Sequence, residues 1–253
     1  MPDTDALAKL LDEALLERRE IPPLTRTHGD FGLAAAYDVQ RRGLALQLAR
    51  GARVVGYKMG LTSAAKRQQM NLGEPIYGFL TEAMRVRGEL SVASGIHPKI
   101  EPEIAFVTAR ELRGAVTRAE ALAACAHVMP ALEVLDSRFT GFKYFSLPDV
   151  VADNCSSWRF VLGEPVPVRD VGGLRMTMSV DGKVVQEADS SAISGHPAES
   201  LVQLCAMLSV HGLSLPAGSV VLAGAATVAE PLRAGMRVTL EVEQLGSVSV
   251  QAV

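Results

Sequence analysis

From Ala6 to Leu16 the apolar residues fall at Ala6, Leu7, Leu10, Leu11, Ala14 and Leu15. That is the 3.6-residue period of an amphipathic helix, with Asp3, Thr4 or Asp5 placed to cap it. The Ile21-Pro22-Pro23 step breaks the pattern, and a second helix is predicted over 32–50, closed by Gly51. Strand-like segments follow at 53–59, 99–108 and 131–137, with a short helix from Ser63 and a turn-rich connection over 73–78 between the first two. Thr117-Arg118-Ala119-Glu120 is a capping box opening a helix that should stop before Pro130. Residues 175–180 and 183–187 flank Asp181-Gly182, the dipeptide of a type I′ hairpin. A helix over 197–211 ends at Gly212, and 219–223, 237–243 and 247–250 return to β. Helices and strands do not alternate as in a doubly wound fold, so the pattern predicts an α+β domain with a mixed sheet. The expected organisation is an N-terminal helical cap over 1–52 and a β-rich unit over 53–253.

Composition narrows the partners. The chain has 253 residues, 48% of them hydrophobic, with 25 Lys and Arg against 28 Asp and Glu. A formal net charge of −3 with no basic run argues against a nucleic-acid partner. Cys125, Cys155 and Cys205 are odd in number and set among apolar neighbours, as expected of reduced, buried thiols. No run approaches the roughly 18 apolar residues of a membrane helix, and the first twenty residues lack a signal-peptide pattern. A cytoplasmic location is expected.

Common catalytic signatures are missing: no GxSxG elbow, Walker A loop, HExxH helix or paired CxxC occurs. The five histidines include no pair at metal-ligand spacing, which argues against zinc. Glu101 and Glu103, in Lys99-Ile100-Glu101-Pro102-Glu103-Ile104, instead stand at i and i+2 of an apolar strand and share one face. They are either a solvated acidic edge or two oxygen ligands for a hard divalent ion. Glu133, in Ala131-Leu132-Glu133-Val134-Leu135, is a carboxylate in an apolar strand and needs a partner, so three carboxylates facing one ion make a coherent site. Asp136 falls on the opposite face and should bond Arg138 or backbone. Lys58, in Val55-Gly56-Tyr57-Lys58-Met59-Gly60, either snorkels to the surface or serves chemistry. Asn154 and Ser156 form a polar cluster that is a turn or part of a site.

Five segments, in the same order over nearly the whole chain, carry a resemblance. They are Gly60-Leu61-Thr62-Ser63 with Lys66, Pro75-Ile76-Tyr77-Gly78-Phe79-Leu80, His97 to Ile104, Leu132-Glu133-Val134-Leu135-Asp136-Ser137-Arg138, and Val151-Ala152-Asp153-Asn154. Together they resemble the hydratase/decarboxylase group of the fumarylacetoacetate hydrolase superfamily. The versions at 75–80 and at 136–151 look more like the decarboxylases, acting on 2-oxo-enedioates, than the hydratases of 2-oxopent-4-enoate. The resemblance implies a mixed β-roll, Mg²⁺ or Mn²⁺ held by Glu101, Glu103 and Glu133, an active-site lysine at Lys58, a homo-oligomer, and a complex with the hydratase that consumes the product. Tyr77 and Asn154 are then expected to position substrate, with Arg138 and Lys143 as candidates to recognise its distal carboxylate. The further alternative is a non-catalytic partner subunit of such a hydratase, against which the four intact residues Lys58, Glu101, Glu103 and Glu133 count. The chain departs from the group at Ala223-Gly224-Ala225, where relatives carry a Thr-Gly-Gly type turn.

Overall fold

The computed structural model describes residues 2–62, 75–144 and 146–253. The short helix expected from Ser63, and Lys66, lie outside the described residues. The N-terminal layer is helical: α1 (Thr4–Glu17), a single turn α2 (Leu24–Thr27) and α3 (Leu33–Ala49). Asp3 caps α1 by accepting from the amides of Asp5 and Ala6, both at 3.1 Å.

The larger sheet runs in the order β2 (Ile76–Thr81), β1 (Val54–Gly60), β10 (Val220–Leu222), β4 (Lys99–Thr108), β5 (Cys125–Leu135), β6 (Ser157–Leu162), with β7 (Val166–Pro167) on β5 and β11 (Glu230–Pro231) on β4. The second sheet is β3 (Glu89–Leu90), β13 (Gly246–Ala252), β12 (Arg237–Val242), β8 (Arg175–Val180), β9 (Lys183–Asp189). Among the described strands β1 with β10 and β13 with β3 pair parallel and the others antiparallel, so the expected mixed sheet is present. Asp181 and Gly182 both have positive φ, 51° and 79°, as a type I′ turn requires. The other α-helices among the described residues are α4 (Arg118–Ala123), α5 (Leu147–Ala152) and α6 (Pro197–Val210).

Two expectations are corrected. The turn-rich reading of 73–78 fails at its end, because Ile76 through Gly78 open β2, whose six residues are all buried. Burial on both faces removes the alternation that marks a strand. The capping box does start α4, with Thr117 N–H donating to Glu120 at 2.7 Å, and that helix stops before Pro130 as expected, at Ala123; what changes is the strand expected over 131–137, which begins at Cys125 and runs straight through Pro130 as β5. Proline fits there because β6 ends opposite Ala131 and β7 pairs only with His127 and Val128, so the missing N–H falls in a gap of the ladder.

Register decides which side chains share the interior of the larger sheet. Lys58 pairs with Leu222, Leu222 with Ala105 and Ala105 with Met129, while Glu101 pairs with Glu133 and Glu133 with Phe160. Glu101, Glu103 and Ala105 are two apart, so all of these face one way. Leu80, Ala105, Met129, Ala131, Phe160 and Leu222 form a separate apolar cluster on that face. The opposite face carries Ile100, Ile104, Phe106, Leu132 and Val134 into the main core with Val238, Leu240, Val250, Leu201 and Leu204.

Candidate active site

β1 and β5 are three strands apart, about 14 Å in a flat sheet. Lys58 Nζ nevertheless lies 2.9 Å from Glu133 Oε2, so the sheet curls and turns both side chains into a common interior. Lys58 is 3% exposed, Glu133 and Glu103 are fully buried, and Glu101 is 8% exposed. Oxygen atoms of the three carboxylates all come within 4.8 Å of one another. Ser157 donates to Glu133 Oε1 at 3.2 Å, and the Gly224 amide donates to Glu103 Oε2 at 2.7 Å. Gly224 has φ +103°, and a Cβ there would sit 2.3 Å from Thr62 Oγ1, so the one glycine kept in the altered turn is the one the geometry demands.

Three buried carboxylates face one ammonium, an imbalance of two negative charges. Burial would lower the Lys58 pKa, but Glu133 and then Glu101 outweigh it and raise it, so the lysine is an ammonium. Burial, with Glu133 and Glu101 adjacent, raises the Glu103 pKa well above the ordinary carboxylate range. Glu103 Oε1 is buried with no hydrogen-bond partner among the described residues. An orphaned carboxylate oxygen in an all-oxygen, over-acidic cluster is what a hard divalent cation satisfies, so the residues present fit Mg²⁺ or Mn²⁺.

A cavity of about 180 Å³ opens beside this cluster, lined by Lys58 and Glu101 and by Leu61, Ile76, Leu135, Phe142, Val150, Tyr144 and Ser156. Asn154, Cys155 and Ser156 take three successive left-handed conformations, φ 47°, 54° and 60°, which strains non-glycine backbone. The turn is pinned by Asn154, whose side chain accepts from Phe79 N–H at 2.8 Å and donates to Phe79 C=O at 3.0 Å. It presents Ser156 to the cavity, hydrogen-bonded to Tyr144. Phe142 is held between the His97 ring, 5.5 Å away, and Lys99, 4.2 Å from its centroid.

The structure thus brings Lys58, Glu101, Glu103 and Glu133 together and leaves four expected substrate contacts elsewhere. Tyr77 lies on the face of β2 opposite Lys58, stacked on Tyr37 at 5.1 Å, because it pairs with Met59. Asn154 spends its amide on the outward-facing backbone of an edge strand. Arg138 is buried against Asp153, with its Nε on one carboxylate oxygen and a second nitrogen 2.7 Å from the Asp153 carbonyl. Lys143 is exposed and does not line the cavity. Asp136 bonds backbone, accepting from Ile96 and His97 amides at 2.9 and 2.8 Å. Sequence reasoning missed Ser157 and the Gly224 amide as supports of the carboxylates, and Phe142 and Tyr144 as cavity walls. Alternation along β6 was the available signal for Ser157; a backbone donor leaves none.

A model of the fumarylacetoacetate (FAA) hydrolase C-terminal family matches residues 53–253. The chain belongs to the fumarylacetoacetate hydrolase family. It is 46% identical to a 4-oxalocrotonate decarboxylase of Pseudomonas sp over 96% of this chain and 95% of that one. It is 36% identical to a 2-hydroxyhexa-2,4-dienoate hydratase of Comamonas testosteroni over 95% and 94%. Among solved structures of the family, a 4-oxalocrotonate decarboxylase from Pseudomonas putida G7 complexed with magnesium and adipate superimposes with a TM-score of 0.95 at 38% identity, covering 99% of this chain and 97% of that one. The α+β fold and the curled mixed sheet expected of the family are present. No described helix is long and apolar enough to cross a membrane.

Proposed function

We propose that the chain is a divalent-metal-dependent carboxy-lyase that converts 2-oxo-3-hexenedioate (4-oxalocrotonate) to 2-hydroxypenta-2,4-dienoate and CO₂. The observation that carries this reading is the buried Lys58, Glu101, Glu103 and Glu133 constellation beside an otherwise apolar cavity, in a chain 46% identical to such a decarboxylase. Glu101, Glu103 and Glu133 would hold Mg²⁺ or Mn²⁺, which supplies a fixed positive charge where the substrate's C1 carboxylate and C2 oxygen bind. Loss of CO₂ breaks the C5–C6 bond and leaves its electron pair at C5, conjugated through C3=C4 with the C2 carbonyl. Negative charge grows on the C2 oxygen, and the Lys58 ammonium hydrogen-bonds it more strongly in the transition state than in the ground state.

The distal carboxylate is treated differently. Among the described residues Lys58 is the only cation lining the cavity, and Leu61, Ile76, Leu135, Phe142 and Val150 form an apolar part of its wall. An anion desolvated there is relieved as its charge moves toward C2, whereas a salt bridge from Arg138 or Lys143 would have held the ground state. The dienol product is consumed by a hydratase. A cytoplasmic homo-oligomer that docks such a hydratase completes the reading, and size-exclusion chromatography with and without the hydratase checks it.

The experiment is incubation of purified protein with 2-oxo-3-hexenedioate and Mg²⁺, with and without EDTA, following CO₂ and product by NMR beside Glu103→Gln. Metal-dependent CO₂ release that the variant loses is expected. Hydration of 2-hydroxypentadienoate without CO₂ release would overturn the decarboxylase assignment in favour of the hydratase one.

A further inference from the structure

A second cavity, about 610 Å³, lies where α1, the end of α3 and β6 meet, away from the Lys58 cavity. Arg18, Arg50 and Arg159 line it together with Gln47, Ser94 and Trp158, and no Asp or Glu does. Only one of these guanidinium groups has an acidic partner. Arg50 is held bidentate by Asp12, both distances 2.6 Å. Arg18 and Arg159 have no carboxylate partner among the described residues; each spends one nitrogen on a carbonyl, of Ala93 at 3.1 Å and of Trp158 at 2.8 Å. Arg159 is half-buried and lies 4.6 Å from the Trp158 ring centroid. Burial lowers its pKa by more than the nearby Asp136 carboxylate raises it.

Two planar, fork-shaped donors without a direct ion-pair partner among the described residues, in one cavity that no acid lines, match the oxygen geometry of a carboxylate or another oxyanion. The rest of the lining is largely apolar, from Leu15, Leu16 and Met84 to Trp158, and accommodates a hydrocarbon body. We infer that this cavity is a second, non-catalytic site for a short-chain dicarboxylate, bound by Arg18 and Arg159. Such a ligand would bridge the helical layer to β6. Its effect reaches the reaction centre through Ser157, which lines this cavity and also donates to Glu133.

The inference stands apart from the metal-site reading, and its test keeps the two separable. Glutarate and, separately, inorganic sulfate are titrated calorimetrically into EDTA-treated protein at fixed chloride. The panel is wild type, Glu103→Gln, Arg18→Gln and Arg159→Gln, with circular dichroism to confirm folding. One saturable glutarate site is expected in wild type and in Glu103→Gln, weakened roughly tenfold in each arginine variant, as loss of a charge-assisted bond predicts. Sulfate competing with glutarate identifies the shared chemistry as an oxyanion; glutarate binding that sulfate leaves untouched places it elsewhere and overturns the site. Unchanged affinity in Arg18→Gln, a change at an exposed side chain, would overturn it too, as would loss of binding in Glu103→Gln with both arginines intact.

Discussion

The molecule buries two ion-paired clusters, and they are built on opposite principles. Arg138 and Asp153 match one cation to one anion, and both Asp153 oxygens are filled, one by Arg138 Nε and the other by the Arg138 amide at 3.2 Å and Ser137 Oγ at 3.3 Å. Lys58 faces Glu101, Glu103 and Glu133, and Glu103 Oε1 has no donor to accept from among the described residues. The first cluster balances its charges without a ligand, with Arg138 Nη1 alone of its polar atoms lacking a hydrogen-bond partner among the described residues, and it holds the segment after β5 against the turn after α5. The second is incomplete by two charges, a state that folding alone would not favour. Charge stoichiometry, more than burial or depth, separates the structural cluster from the functional one.

The sharpest way to break this distinction is Glu103→Gln. Decarboxylation in saturating Mg²⁺ should fall on the order of 10²–10³-fold, while the metal-free protein should melt at a higher temperature than wild type because a buried like charge is gone. Activity surviving the change would erase the contrast. Arg138→Gln should do the reverse: it strands Asp153 and costs about 3–5 kcal/mol in urea unfolding, with the rate per folded molecule within roughly twofold of wild type.

A pH series sharpens the comparison further. The unfolded chain releases the Glu103 proton near pH 4.3, whereas the folded metal-free chain keeps it to higher pH. The folded state therefore binds more protons between those limits, and metal-free stability should fall as pH rises through that window. Saturating Mg²⁺, which displaces the proton, should flatten or reverse the slope in differential scanning fluorimetry. The smallest effect is expected of Tyr77→Phe. Its hydroxyl is buried without a hydrogen-bond partner among the described residues, so removal should leave stability within about 1 kcal/mol and KM unchanged. A raised KM would return Tyr77 to the substrate.

The same contrast marks where sequence reasoning reached and where it stopped. Glu101 and Glu103 were legible because strand periodicity is exact at i and i+2, and Glu133 and Lys58 because a charge inside an apolar run is conspicuous. The β8–β9 hairpin was legible from Asp181-Gly182 for the same local reason. Arg138 is just as charged, but its partner is set by tertiary packing: Asp153 reaches Arg138 only once α5 and the following turn fold back. The parallel pairing of β1 with β10, and the curl that brings Lys58 to Glu133, are likewise tertiary and leave no local trace. The direction in which Tyr77 points was hidden because β2, buried along its whole length, does not announce which way its side chains alternate, and the bonds of Asn154 to Phe79 form only when its turn packs on that strand.

The turn at Gly224 bears on how the protein could be re-engineered. Position 224 combines a left-handed backbone, a close approach to Thr62 and an amide committed to Glu103. In a saturation library it should behave as a near-invariant anchor. Its neighbour Ala225 lines the Lys58 cavity with a single methyl group and makes no such commitments. Directed evolution toward shorter or branched 2-oxo acids has its most permissive handle one residue away from its least permissive one.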